Sequence, residues 1–242
     1  MMLVKHSAEG TRAANQEKRV NQMSTVLFDA IKAQAKITDS VLVGFSGGKD
    51  SIVTLDLCFR YFKNVRVFFM YMVEGLSFQE KLLQWYEKKY DTEIIRVPHF
   101  ENSYDMRFGV FRQMDYDVSY VTITDVYNYV RLQTDIHWIA CGERIDDSII
   151  RRAMIKNSSS IDKKRGRFYP VAYWSKRDVM EYIKFHKLKM GDDSKEFGFS
   201  FAALDGRQLT FIKNNYPDDY EKILKIYPFA EAAVKRLARY GK

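Results

Sequence analysis

Phe45-Ser46-Gly47-Gly48-Lys49-Asp50-Ser51 gathers two glycines, a lysine, an aspartate and two serines, a set suited to gripping phosphate. Glycine lets the backbone turn sharply and approach a ligand closely, and the N–H groups of a helix start point at whatever sits there. The positive end of the helix dipole favours an anion, Lys49 adds a full charge, and Ser46 and Ser51 add hydroxyl donors. Asp50 does not suit anion binding alone. A carboxylate beside a phosphate cradle makes sense when Mg²⁺ bridges the two, which makes Asp50 the candidate metal ligand. The Walker pattern G-x-x-x-x-G-K-[ST] is not met, because its first glycine is missing and aspartate follows the lysine.

Open parallel sheets bind ligands beyond the carboxyl ends of their strands, so polar groups are expected after other strands too. Glu74-Gly75, His99 and the run Gly142-Glu143-Arg144-Ile145-Asp146-Asp147-Ser148-Ile149-Ile150-Arg151-Arg152 stand in such places. Arg144 and Arg151 can neutralise phosphate or sulfate oxygens through a planar fork, and Asp146 or Asp147 can hold a metal or orient those arginines. The plainer reading of this run is a solvated helix start. His99 reads as loop-solvated near the site, and the histidines at 6, 99, 137 and 186 lack zinc spacing. Cys58 and Cys141 read as buried core thiols, and two cysteines make neither a disulfide framework nor a four-thiolate metal site.

The elements that must hold these residues alternate. Val41–Phe45, Val65–Val73, Glu93–Val97 and His137–Cys141 read as strands; Ile52–Phe59, Phe78–Tyr90 and Thr124–Leu132 read as the helices between them. That order implies a doubly wound, mostly parallel sheet. Residues 100–119 read as irregular, and residues 156–167, dense in serine and basic groups, as mobile. Ser175 and Asp178 have capping-box spacing for a helix from Lys176 to about His186. Val26, Leu27, Ala30, Ile31 and Ala33 give a leading helix its apolar stripe. The expected division is a helical segment over 1–38, a nucleotide-binding α/β domain over 39–190 and a helical appendage over 191–242, with helices near Leu209–Asn214, Asp219–Ile226 and Ala230–Tyr240.

The net charge of +8 favours anionic partners, or is simply a solvated basic surface. No apolar run approaches the roughly 20 residues a bilayer needs, and the start of the chain lacks a secretory apolar block, so the expectation is a cytoplasmic protein without membrane contact.

S-G-G-K-D-S after an apolar strand resembles the pyrophosphate loop (PP-loop) of the adenine nucleotide α-hydrolase superfamily. The stretch from Gly142 to Arg151 resembles G-x-R-x-D-E-S-x-x-R of its sulfate-assimilation branch, with Asp147 in place of glutamate. Tyr169-Pro170-Val171, Trp174 and Asp178 likewise resemble that branch's Y-P-I-x-x-W-x-x-x-D-V segment, so the likeness runs from about Val41 to His186. The branch includes phosphoadenylylsulfate reductases and the small subunit of ATP sulfurylase. The resemblance implies a Rossmann-like fold and cleavage of ATP between its α- and β-phosphates. Ser46, Gly47, Gly48, Lys49, Asp50 and Ser51 would hold the β- and γ-phosphates, the backbone from Met72 to Glu74 would lie near adenine, and Arg144 and Arg151 would face the α-phosphate or substrate anion, with Gly142 and Asp146 counted in the site. Lys49, Asp50 and Arg144 carry the catalytic role in that reading.

Reductases of this branch attack sulfur with a cysteine near the C-terminus, and no cysteine follows Cys141. Sulfonucleotide reduction is therefore not expected. Expected instead is adenylation of an acceptor oxygen for sulfur incorporation, with ATP as substrate, Mg²⁺ as cofactor, and neither an iron–sulfur cluster nor zinc. DNA phosphorothioation with a cysteine desulfurase or another sulfur donor is the favoured case. Lys163, Lys164, Arg165 and Arg167, with Tyr116, Tyr120 and Tyr127, are the groups expected to meet nucleic acid. Sulfate adenylyl transfer and a non-catalytic nucleotide-binding module, its C-terminal Lys235, Arg236 and Arg239 meeting a partner, remain as alternatives, and the oligomeric state is open.

Overall fold

A computed structural model describes residues 25–198, 200–201 and 204–241. The first 24 positions of the leading segment lie outside the described residues. A 3₁₀ turn at Thr25–Phe28 leads into α1 (Asp29–Ala35), followed by β1 (Ser40–Gly44), α2 (Lys49–Tyr61), β2 (Asn64–Tyr71), α3 (Ser77–Tyr90), β3 (Ile94–Pro98), α4 (Glu101–Phe108), α5 (Ile123–Thr134) and β4 (Ile139–Ala140). Then come α6 (Ile149–Ser158), β5 (Ile161–Asp162), β6 (Arg167–Phe168), α7 (Lys176–Phe185), α8 (Asp192–Phe197), α9 (Gly206–Asn215), α10 (Pro217–Ile226) and α11 (Glu231–Tyr240). The six strands form a Rossmann-like sheet with flanking helices, in the order β3-β2-β1-β4-β6-β5. Its recorded pairings are parallel except β5 with β6. Val41, Leu42 and Val43 are fully buried, as an unbroken apolar run on a sheet covered on both faces must be.

The chain divides into two compact units. The first holds residues 25–43, 49–65 and 138–189. Here Leu42 lies opposite Ile139, and Ile139 opposite Arg167. Helix α2 buries Ile52, Val53, Leu55, Leu57 and Cys58, and burial pushes the Cys58 thiol far up. Buried Asp56 accepts from Tyr182 Oη at 2.7 Å and pairs with Arg60. The Ser175–Asp178 capping box is formed and starts α7 as read. In α1, Ile31 is buried but Ala33 is exposed, and Gln34 takes the inner position one residue on.

The segment 156–167 is not the mobile stretch expected. It closes α6 and forms the β5–β6 hairpin, in which Asp162 accepts from Arg165 N at 3.0 Å and pairs with Arg165 Nε at 2.8 Å. Arg167 is buried within it, so only Lys163, Lys164 and Arg165 of the four basic residues face solvent.

The second unit holds residues 44–48, 66–137 and the described part of 190–241. Val67 of β2 lies opposite Ile94 of β3. Arg96 joins β3 to α3 through Glu80 at 2.7 Å and Glu87 at 2.8 Å. Residues 100–119 are not wholly irregular, since α4 occupies Glu101–Phe108 and ends at Gly109. Its sequence lacks a regular apolar period, which hid it. Tyr127 is buried edge-on to Phe68 rather than presented to a ligand, while Tyr116 and Tyr120 are exposed. The C-terminal helices share a core with the β2–α3 connection, where Leu209, Ile212 and Ile223 meet Met72, Leu76 and Phe78.

Candidate functional site

The glycine loop joins β1 to α2. Gly47 sits at φ +73°, a left-handed turn that a side chain would strain, and a Cβ there would also come within 3.0 Å of Leu82. Gly48 N donates to Ser46 Oγ at 3.4 Å, and Gly47 O accepts from Ser194 Oγ at 3.2 Å. Lys49, Asp50 and Ser51 then form the first turn of α2.

A short ion network starts from that turn. Lys49 Nζ lies 2.7 Å from Asp50 Oδ2, and Arg144 Nε lies 2.8 Å from Asp50 Oδ1. The second contact is an attraction of charges without the alignment of a hydrogen bond, so buried Asp50 Oδ1 retains acceptor capacity. The Arg144 guanidinium also donates from Nη2 to Asp147 Oδ1 at 2.9 Å and from Nη1 to Trp174 O at 3.1 Å. Asp147 turns back to accept from Arg144 N at 2.8 Å. Arg151, half exposed, stands 3.6 Å from Asp147. Lys49, Arg144 and Arg151 thus set three positive charges against the two carboxylates Asp50 and Asp147, which leaves one net positive charge at the helix start.

Gly142 explains how the arginine run reaches the first turn of α2. A Cβ at Gly142 would lie 2.9 Å from Ser51 N and 3.1 Å from the Asp50 carbonyl carbon, so the two backbones touch where no side chain fits. Lys49, Asp50, Ser51, Gly142, Arg144 and Asp147 are therefore brought together. Asp146 is not among them; it is exposed and 3.7 Å from Arg152, and Asp147 does the orienting. In the second unit, Met72 is buried and its carbonyl accepts from Asn102 Nδ2 at 3.1 Å, while Glu74 is exposed beside Gly75. His99 is largely buried rather than solvated, and burial lowers its imidazole pKa.

Two features escape the motifs. Glu143 Oε2 is buried without a hydrogen bond, and burial raises this carboxyl against the opposing pull of Arg151 and Arg167. Ser194 grips the loop from beyond the similar segments, and a serine among polar residues carries no signal of such a contact.

A model of the phosphoadenosine phosphosulfate reductase domain matches residues 40–192. The chain belongs to that family. The match covers both the glycine loop and the arginine run, so both fall within the phosphoadenosine phosphosulfate reductase domain. The expected adenine nucleotide α-hydrolase-like fold is the fold observed. No curated protein matches.

Among solved structures the chain is similar to the U34-tRNA thiolase NcsA from Methanococcus maripaludis with its [4Fe-4S] cluster, at 19% identity over 83% of this chain and 72% of that one, TM-score 0.41. It is also similar to an NH₃-dependent NAD synthetase from Campylobacter jejuni in complex with the nitrate ion, at 15% identity over 92% and 96%, TM-score 0.45. Against the expectation of no iron–sulfur cluster stands the [4Fe-4S] cluster of that thiolase. Among the described residues no group of three or more His, Cys, Asp or Glu is placed to hold a metal ion, and no helix is long and apolar enough to cross a membrane.

Proposed function

We propose that this member of the phosphoadenosine phosphosulfate reductase domain family is an ATP pyrophosphatase that adenylates an acceptor oxygen so that sulfur can replace it. The observation that carries the reading is the convergence of Lys49 and Arg144 on Asp50 at the start of α2. The helix start and Lys49 bind the β- and γ-phosphates, and Arg144 neutralises charge at the α-phosphate. An acceptor oxygen attacks the α-phosphorus, the bond from phosphorus to the bridging α–β oxygen breaks, and pyrophosphate departs with that electron pair. AMP stays on the acceptor until the terminal sulfur of a donor persulfide, such as that of a cysteine desulfurase, bonds to the acceptor atom and AMP leaves carrying the acceptor oxygen. A second thiol then cleaves the S–S bond to the donor and is itself left in a disulfide with it. Asp50 fits Mg²⁺, since Oδ1 is a buried carboxylate oxygen without a hydrogen bond and this cation commonly takes one or two carboxylates plus phosphate oxygens. Bound there, the ion would neutralise charge on the departing pyrophosphate.

With Cys141 buried and no cysteine beyond it, an outside sulfur donor suits the chain, and the basic balance suits a nucleic-acid acceptor such as DNA. The test is incubation with α-labelled ATP, Mg²⁺ and DNA, or sulfate in a parallel arm. Pyrophosphate release and transfer of the α-label to DNA are expected, with AMP freed once a sulfur donor is added, and Lys49→Ala should cut pyrophosphate release about 100-fold, as loss of a preorganised charge does. ADP as product, or unchanged turnover in the variant, would sink the reading; adenylylsulfate would replace the acceptor with sulfate.

A further inference from the structure

The segment from Gly191 to Phe201 lies outside the chemistry above, yet its described residues reach the glycine loop. Ser194 is almost fully buried and donates to Gly47 O. Buried Asp193 accepts from Ser194 N with Oδ1 and from Phe201 N with Oδ2, both at 2.7 Å, so one carboxylate ties together two points seven residues apart. A Cβ built on Gly48 would lie 3.4 Å from Ser200 Oγ and 3.4 Å from Ser46 Oγ, so two hydroxyls from distant parts of the chain converge on one point of the loop.

We propose that Ser200 is a phosphate ligand, its hydroxyl donating to an oxygen of the pyrophosphate moiety at Gly48, and that Asp193 and Ser194 are positioning residues for that contact. The inference rests on the phosphate-gripping reading of the loop. Its physical basis begins with the trans peptide, in which C=O and N–H point in opposite directions. Ser194 holds the Gly47 carbonyl, the negative end of that peptide, in a protein bond, and so aims Gly48 N–H to the opposite side, where Ser46 Oγ accepts it. The Gly47 carbonyl is thereby held away from an anion at Gly48, beside the Ser46 hydroxyl. Ser200 supplies a second donor at the same place, and the Asp193 clamp fixes the backbone on which it stands. Every contact in this chain of argument lies within the second unit.

The test measures binding of inorganic pyrophosphate with Mg²⁺, and separately of AMP, to the intact protein and to Ser200→Ala, Ser200→Thr and Ser194→Ala by calorimetry, followed by KM and kcat for ATP. Ser200→Ala should weaken pyrophosphate about 10-fold, the loss of one hydrogen bond to a charged group, and raise KM for ATP similarly. AMP, which lacks the β- and γ-phosphates, should bind all variants alike, and threonine at 200 should restore pyrophosphate affinity because it keeps the hydroxyl. Ser194→Ala should weaken pyrophosphate while leaving the melting temperature near that of the unaltered protein. Pyrophosphate binding unchanged in Ser200→Ala, or threonine no better than alanine, overturns the role of Ser200 while the loop reading stands. If the unaltered protein itself binds no pyrophosphate, the loop reading falls and takes this proposal with it.

Discussion

Arg144 is committed on three sides, and a different side chain cannot serve all of them. Its fork faces Asp50, Asp147 and the Trp174 carbonyl, while its own N–H returns to Asp147. Lysine keeps the charge but offers a compact ammonium in place of a rigid planar fork. If Arg144 neutralises the α-phosphate as proposed, Arg144→Lys should fold yet lose about 100-fold in kcat for pyrophosphate release, with a smaller change in KM, the pattern expected of a contact made mainly as charge develops. Steady-state kinetics checks this, and a kcat within two-fold of the unaltered enzyme would remove Arg144 from the chemistry. Arg144 drew notice in the sequence because it follows a strand, where an open parallel sheet receives its ligand, and the structure puts it beside Asp50. The sequence could not choose between Asp146 and Asp147, because adjacent aspartates differ only in the direction the turn gives them. Glu143 was equally hidden: its meaning lies in burial of Oε2 without a hydrogen bond, and no neighbouring residue type announces that.

Among the elements, α3 begins without a cap of its own. The residue at its N-cap is Leu76, which has no side-chain oxygen to offer, and the acceptor comes from α10. Asp219 accepts from Ser77 Oγ at 2.8 Å and Phe78 N at 3.3 Å, and pairs with Lys222 at 3.1 Å. Burial works against its charge, but these partners outweigh that cost and hold its carboxyl below the usual range. A group whose pKa is depressed on folding lends stability above its unfolded pKa and loses it as pH falls through the folded value. Asp219→Ala should thus cost about 1–2 kcal/mol at pH 7, the usual loss of a helix cap, and the difference should shrink below about pH 4. Denaturant titrations at pH 7 and pH 3 decide it; a gap that does not change with pH would mean the carboxylate charge is not what caps α3. The long strands and the helices between them were legible from apolar runs such as Val41 to Val43. The β5–β6 hairpin was not, because two-residue strands flanking Lys163-Lys164-Arg165-Gly166 show no alternation long enough to read. The three helices at the C-terminal end were visible, but not their purpose. Packing of Leu209 and Ile223 with Met72 and Phe78 joins positions far apart in sequence, which local periodicity cannot encode.

At the scale of the whole molecule, a formal charge of +8 must act on some partner or merely keep the protein dissolved, and salt dependence separates the two. The exposed cations include Lys163 and Lys164 at the hairpin tip and Lys235, Arg236 and Arg239 on α11, with Lys235 paired to Glu231 at 2.7 Å. Each phosphate neutralised by a lysine releases condensed counterions, so log affinity falls with log salt by about 0.9 per contact on duplex DNA. If DNA is the acceptor, binding measured between low and physiological salt should weaken steeply. The double variant Lys163→Glu with Lys164→Glu should lower the slope by about 2, since two contacts contribute twice the single-contact value. Its binding of ATP without DNA should be unchanged, because neither lysine touches the ion network at Asp50. A slope equal to that of the unaltered protein would take the hairpin out of the interface. Absence of binding even at low salt would leave the positive charge as a matter of solubility and turn the search for the acceptor toward small anions.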